Sequence, residues 1–237
     1  VGFAPWLPLG IALRDFHESG VSTSIRVYTV DGELTPYPTE LFFRGYEDFS
    51  VMDELGCAEA RGRILDAGAG AGCISLFLQN EMGKEVTAMD ISEHCVTIMK
   101  ELGVRDARHG NLFDLREEKF DTILFLMNGI GFVGNLDGLD RFLKHAKQLL
   151  EPGGQLIFDS SDLKFADIGG ANLRGGPGNY YGEVQYHMEY KGVKGNSYQW
   201  LYIDPETLLK YAKSNGYQME ILLEAEDGYY FTRLTPL

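Results

Sequence analysis

The chain has 237 residues, 44% of them hydrophobic and 24% charged, enough for one sizeable core and short for two ordinary domains. Its formal net charge of −14, with no Lys/Arg-rich run, disfavours phosphate backbones as partners. No apolar run approaches the roughly 20 residues that span a bilayer, and Cys57, Cys73 and Cys95 offer neither a disulfide framework nor C-x-x-C metal spacing, so a protein of the reducing cytoplasm, without membrane or metal, is expected.

Residues 1–13 are apolar but broken by Pro5 and Pro8 and lack a basic leader, which predicts a docked or unstructured arm rather than a secretory signal. The sequence starts at Val1 and not at Met, so residues upstream of it stay open. Residues 40–48, ELFFRGYED, gather aromatics and an arginine just ahead of the first core strand. The run RILDAGAGAGCISLF over residues 63–77 then presents a short apolar strand, an acid, three alternating glycines and an amphipathic helix. Glycine lets the chain turn sharply there and lets a ligand approach the backbone, as in a nucleotide-type cofactor loop.

Runs such as Ile64-Leu65 and residues 122–126 are apolar almost throughout, as parallel strands covered on both faces are. Helical spacing of apolar residues over 92–102 and 138–150, with stops at Gly103 and Pro152-Gly153, supplies the covers. Stretch 167–178 carries too many glycines for a regular element and predicts a mobile loop. Segments 181–190 and 197–203 alternate toward β character around 191–196, a hairpin inserted behind the core as a substrate cap. Asp204 and Pro205 open a helix that ends at Asn215-Gly216, and strands 218–226 and 229–234, joined at Asp227-Gly228, form an antiparallel pair. The organisation expected is one domain over 1–237: cover segment 1–60, core 61–162, loop and cap 163–203, closing helix and strands 204–237.

A lone Gly-rich turn does not identify its cofactor. The dinucleotide pattern G-x-G-x-x-G fails in both registers, since Cys73 or Ser75 stands where the third glycine belongs. What is present, D-x-G-x-G-x-G over 66–72, resembles motif I of the class I S-adenosylmethionine (SAM)-dependent methyltransferases. The likeness continues in order through EVTAMDIS (85–92), DARHGNLF (106–113), FDTILFLMNGIG (120–131) and the L-x-P-G-G turn and strand of 149–159. One departure is Gly110-Asn111, where the family commonly has Gly-Asp.

The resemblance implies a Rossmann-like, doubly wound, mostly parallel seven-stranded sheet with an antiparallel last strand and an inserted cap hairpin. It implies S-adenosyl-L-methionine as cofactor, S-adenosyl-L-homocysteine as product, and a cofactor site of Asp66, Ala67, Gly68, Ala69, Gly70, Gly72, Asp90, Ile91, Asn111, Leu112, Phe113 and Asn128, with Arg44 and Tyr46 reaching in from the cover segment. Asp90 would clamp the ribose hydroxyls, and Asn111 would accept from the adenine amino group. Methyl transfer is an in-line displacement that needs alignment more than a dedicated catalytic group. Asn128 and Asp159 are the catalytic candidates, with Ser160 and Asp162 nearby at the carboxyl ends of the strands. Competing roles are a turn before Gly129 for Asn128 and a capping or solvated acid for Asp159 and Asp162.

Tyr180, Tyr181, Tyr186, His187, Tyr190, Tyr198 and Trp200 form either a substrate-binding aromatic cage or a cross-strand ladder that stabilises the hairpin. Cys73, at the start of the motif helix, is either an activated thiol or a packed one. The partner expected is a small-molecule acceptor, in a monomer or homodimer. Two other functions compatible with the loop are an NAD-dependent oxidoreductase, which also places an acid near Asp90, and a SAM-binding regulatory or scaffold protein without transfer.

Overall fold

The computed structural model describes residues 3–29, 32, 33, 36–165 and 180–237; the glycine-rich stretch 167–178 lies outside them. The first helix, α1 (Leu7–Ser19), has Pro8 in its first turn and ends at Gly20 with φ 65°. The first N–H groups of a helix have no intrahelical partner, so a proline there forfeits nothing. Pro8 therefore starts a helix, and of the two forms expected for this arm the docked one is found.

Next, β1 (Ser24–Thr29) buries Ile25, Val27 and Thr29 and turns Ser24 and Arg26 outward, the alternation of a strand with one covered face. The two-residue strands β2 (Gly32–Glu33) and β3 (Tyr37–Pro38) pair with it antiparallel. Two 3-10 turns, Thr39–Phe42 and Tyr46–Asp48, lead to α2 (Val51–Glu59). Ser50 and Asp53 close a reciprocal capping box at the start of α2, satisfying two otherwise orphaned N–H groups.

The core alternates strand and helix: β4 (Arg63–Ala67), α3 (Cys73–Asn80), β5 (Glu85–Asp90), α4 (Glu93–Leu102), β6 (Ala107–His109), β7 (Phe120–Phe125), α5 (Leu136–Leu149) and β8 (Leu150–Ser161). The cap follows as β9 (Glu183–Tyr190), β10 (Val193–Lys194) and β11 (Tyr198–Leu201), and the chain closes with α6 (Pro205–Ser214), β12 (Tyr217–Glu224) and β13 (Tyr229–Pro236).

Seven strands form one sheet in the order β12-β13-β8-β7-β4-β5-β6, parallel from β8 to β6, with β13 antiparallel to both β8 and β12. This is the doubly wound sheet expected from the sequence. Strand alternation divides the apolar residues between its two faces. Leu65, Ile123, Phe125, Leu156 and Phe158 pack with Phe142 and Leu143 of α5 and Leu208 of α6. Ile64, Leu124 and Ile157 pack with Cys57 of α2 and Ile74 and Leu78 of α3. Because both faces are covered, the strands read as continuous apolar runs.

The predicted hairpin is present, but it belongs to a larger second sheet. β9 pairs on one edge with β10 and β11 and on the other with β1, matching Val27 to Met188 and Tyr28 to His187. The N-terminal segment thus completes the cap, and α1 bridges it to the core by packing on α4, β1 and β9.

Candidate active site

The carboxyl ends of β4, β5, β6 and β7 open into one cavity of about 520 Å³ whose far wall is the inner face of the cap sheet. Ligands of open α/β sheets bind at this edge, where the connecting loops diverge. The turn from β4 into α3 shapes its floor. Gly68, Gly70 and Gly72 all hold left-handed φ values, 76°, 58° and 87°. Their surroundings differ. A Cβ on Gly68 would meet nothing within 4 Å and would project into open space, and one on Gly70 would meet only Phe42. A Cβ on Gly72 would lie 2.9 Å from Met99 and 3.0 Å from Val104, so this third glycine serves helix packing and does not line the cavity.

Two carboxylates stand on the cavity wall. Asp90, at the end of β5, accepts from the Gly70 N–H at 3.0 Å and the Ser92 N–H at 2.8 Å, tying the second strand to the glycine turn. Asp66, 4% exposed, accepts from the Ser75 hydroxyl at 2.5 Å. Burial pushes both acids up to about 6, against the hydrogen bonds that favour their charged forms.

Ala67, Ala69, Ile91, Asn111, Leu112 and Phe113 also border the cavity. The Asn111 side-chain oxygen accepts from the Phe113 N–H at 3.0 Å, capping the 3-10 turn Leu112–Asp114, so only its second lone pair is left for a ligand. Arg44 enters from the cover segment, fixed in a buried pair with Asp53 (Nη2 to Oδ1 2.7 Å, Nε to Oδ2 3.1 Å) and donating to the Leu41 carbonyl.

Five residues singled out in the sequence stand elsewhere. Tyr46 lies off the cavity, 53% exposed and stacked on Phe77 at 4.8 Å. Asn128, in a left-handed turn with Met127 (φ 54° and 59°), accepts through its side-chain oxygen from the Ser161 hydroxyl at 2.8 Å, while Met127 and Gly129 border the cavity. Asp159 is buried behind this turn, its Oδ2 accepting from the Asn128 N–H at 2.7 Å and its Oδ1 without a partner among the described residues. Burial pushes its carboxyl up to about 7. The Ser160 hydroxyl accepts from the Ile203 N–H, and Asp162 accepts from the Tyr181 hydroxyl.

Cys73 borders the cavity, but burial pushes its thiol up to about 11, so packing prevails over helix-terminus activation. Of the aromatic cluster, Tyr186, Tyr198 and Trp200 face the cavity. Tyr180 bonds to Asp204, Tyr190 bonds to Asp15, and His187 stacks on Tyr28 on the cap's outer face. The Trp200 indole N–H donates to the Asn128 carbonyl at 3.2 Å, pinning the cap to the turn after β7.

Sequence reasoning missed much of the apolar wall: Trp6 just ahead of α1 and Leu9 within it, Ile25 and Val27 from β1, then Tyr37, Phe42, Met188 and Tyr202. The alternation SIRVYT over Ser24–Thr29 was the available signal for β1.

A model of the methyltransferase domain matches residues 65–158. The crystal structure of a SAM-dependent methyltransferase from Bacteroides fragilis, in complex with S-adenosyl-L-homocysteine, is 42% identical, with a TM-score of 0.87 over 99% of this chain and 97% of that one. An uncharacterized methyltransferase of Staphylococcus carnosus (strain TM300) is 35% identical over 97 residues, which is 40% of this chain and less than half, 44%, of that relative's length. A SAM-dependent methyltransferase from Clostridium acetobutylicum ATCC 824 shares the fold at 15% identity, with a TM-score of 0.59 over 81% of this chain and 92% of that one. With the glycine turn, the strand order and 42% identity along the whole length in agreement, the chain belongs to the SAM-dependent methyltransferase family.

Proposed function

We propose that the chain binds SAM in the loops at the ends of β4, β5 and β6 and transfers its methyl group to a small-molecule acceptor held beneath the cap. The observation that carries this reading is the single cavity shared by those loops and the aromatic face of the cap. The site fits the cofactor: space is open at Gly68 where a side chain would intrude, and Asp90 on the wall has lone pairs beyond its two backbone bonds with which to accept from vicinal hydroxyls. When bound, the cofactor supplies an electrophilic methyl carbon on a sulfonium.

In this reading the chain's own residues align and shield. Asp90, Gly68, Gly70 and the 111–113 turn hold one reactant, and the cap face of Tyr186, Tyr198 and Trp200 holds the other and excludes water. Among the described residues no histidine or lysine lines the cavity, and its two carboxylates both lie on the cofactor side, engaged by backbone or Ser75. Rate enhancement then comes from positioning, and Asp159 acts by holding the turn after β7. We place the reaction in the cytoplasm, in a monomer or homodimer, away from nucleic acids in view of the net charge of −14. Among the described residues no helix is long and apolar enough to cross a membrane.

The test is calorimetric titration with S-adenosyl-L-homocysteine, with NADH as control. Saturable binding of the former alone is expected, and Asp90→Ala should weaken it by at least about tenfold while leaving the circular dichroism unchanged. NADH binding, or no binding of S-adenosyl-L-homocysteine by folded protein, overturns the reading. Saturable binding of S-adenosyl-L-homocysteine together with no SAM consumption across an acceptor screen would favour a regulatory role.

A further inference from the structure

The cap half of the cavity differs in kind from the loop half. Its wall is the inner face of the cap sheet, Ile25, Val27, Tyr186, Met188, Tyr198 and Trp200, and among the described residues it carries no Asp, Glu, Lys, Arg or His. The charged groups bordering the cavity, Arg44, Asp66 and Asp90, stand on the opposite side, and Arg44 is already held by Asp53. The outer face of the same sheet bears Arg26, His187 and Glu189, so the inner face is uncharged by strand alternation and not by overall composition.

The rings touch one another. Tyr198 meets Trp200 edge to face at 6.2 Å and 83°, and Tyr186 meets Tyr202 at 6.4 Å and 79°. Rings in mutual contact make a continuous wall, and among the described residues no carboxylate stands on it to balance an ammonium group. Polar handles are few. The Tyr186 hydroxyl donates to that of Tyr202 at 3.1 Å, whereas the Tyr37 and Tyr198 hydroxyls have no hydrogen-bond partner among the described residues. Burial raises the pKa of both phenols, which keeps them protonated and able to donate.

We propose that the acceptor is an uncharged, ring-bearing molecule with a hydrogen-bonding group that meets Tyr198 or Tyr37, an assignment that rests on reading this cavity as a methyl-transfer site. A carboxylate or phosphate in the cap half would be buried without a counter-cation, and an ammonium without a counter-anion; each would lose its hydration for no ion pair. A flat ring gains area against the wall and loses little.

Three probes sharing one ring and one hydroxyl isolate the charge: p-cresol, 4-hydroxyphenylacetate and tyramine, each titrated calorimetrically into protein saturated with S-adenosyl-L-homocysteine. The expected result is saturable binding of p-cresol at least about tenfold tighter than either charged probe. Tyr198→Phe and Trp200→Ala should each weaken p-cresol severalfold and leave the affinity for S-adenosyl-L-homocysteine unchanged. Equal or tighter binding of a charged probe overturns the proposal, as does absence of p-cresol binding in protein that binds S-adenosyl-L-homocysteine. Failure to bind S-adenosyl-L-homocysteine at all overturns the cofactor reading beneath it.

Discussion

Asp159 shows that residue type and chain position do not by themselves place a side chain in a cavity. An acid at the carboxyl end of a core strand reads as a catalytic candidate, yet its side chain points behind the turn after β7, bonded to the Asn128 N–H, with its other oxygen buried and unpartnered among the described residues. Its chemistry appears as pH dependence of stability. With the folded-state pKa raised to about 7 from 3.8, the native state binds a proton that the unfolded state has released. Stability from this group is therefore present at low pH and lost as pH rises toward and through 7. Between pH 5 and pH 8 the parent should lose about 2 kcal/mol more unfolding free energy than Asp159→Asn, read from urea titrations at the two pH values. Asp66 and Asp90, raised in the same direction, act equally in both proteins and cancel in the comparison. Since Asp159 does not border the cavity, Asp159→Asn should retain methyl transfer once an acceptor is known.

At the scale of elements, the cap depends on joints that local propensity does not reveal. Gly131 lies in the 3-10 segment Gly129–Val133 after β7, and a Cβ there would sit 2.0 Å from the Trp200 indole nitrogen of β11. Its φ is not left-handed, so alanine meets no backbone strain; the conflict is steric. Gly131→Ala should cost about 1–3 kcal/mol by denaturant unfolding, and most of that cost should vanish in the Trp200→Ala background. β1 teaches a related lesson. Its alternation was readable, but a six-residue strand in isolation carries no information on which sheet it joins, and β9 offers a pairing edge more than 150 positions later in the chain.

At the scale of the whole molecule, the cavity lies between two sheets, and α1, in contact with α4, β1 and β9, ties them together. The N-terminal residues are therefore part of the structure that closes the site. A single cooperative unfolding transition is expected, with coincident curves from far-UV circular dichroism and tryptophan fluorescence. Both tryptophans, Trp6 and Trp200, border the cavity, so fluorescence reports on the cap while circular dichroism reports mainly on the core. Two separated transitions would show that the cap melts independently. S-adenosyl-L-homocysteine at a hundred times its dissociation constant should add about 2.7 kcal/mol to the unfolding free energy, read as a concentration-dependent rise in Tm.

The doubly wound sheet, the glycine turn, Asp90 and the closing antiparallel strand were legible in the amino-acid order because each is specified locally. Apolar runs mark strands covered on both faces, alternating glycines mark a left-handed turn, and an acid ends the neighbouring strand at a predictable distance. The partition of candidates was not legible. Asn111, Phe113 and Arg44 border the cavity while Gly72, Tyr46, Asn128 and Asp159 do not, and three of the seven cap aromatics face inward. Whether a side chain reaches the cavity depends on strand register, on the hand of a turn and on which distant strand completes a sheet. These are consequences of long-range packing, which sums small contributions over many residues and leaves no signature in any one stretch of sequence.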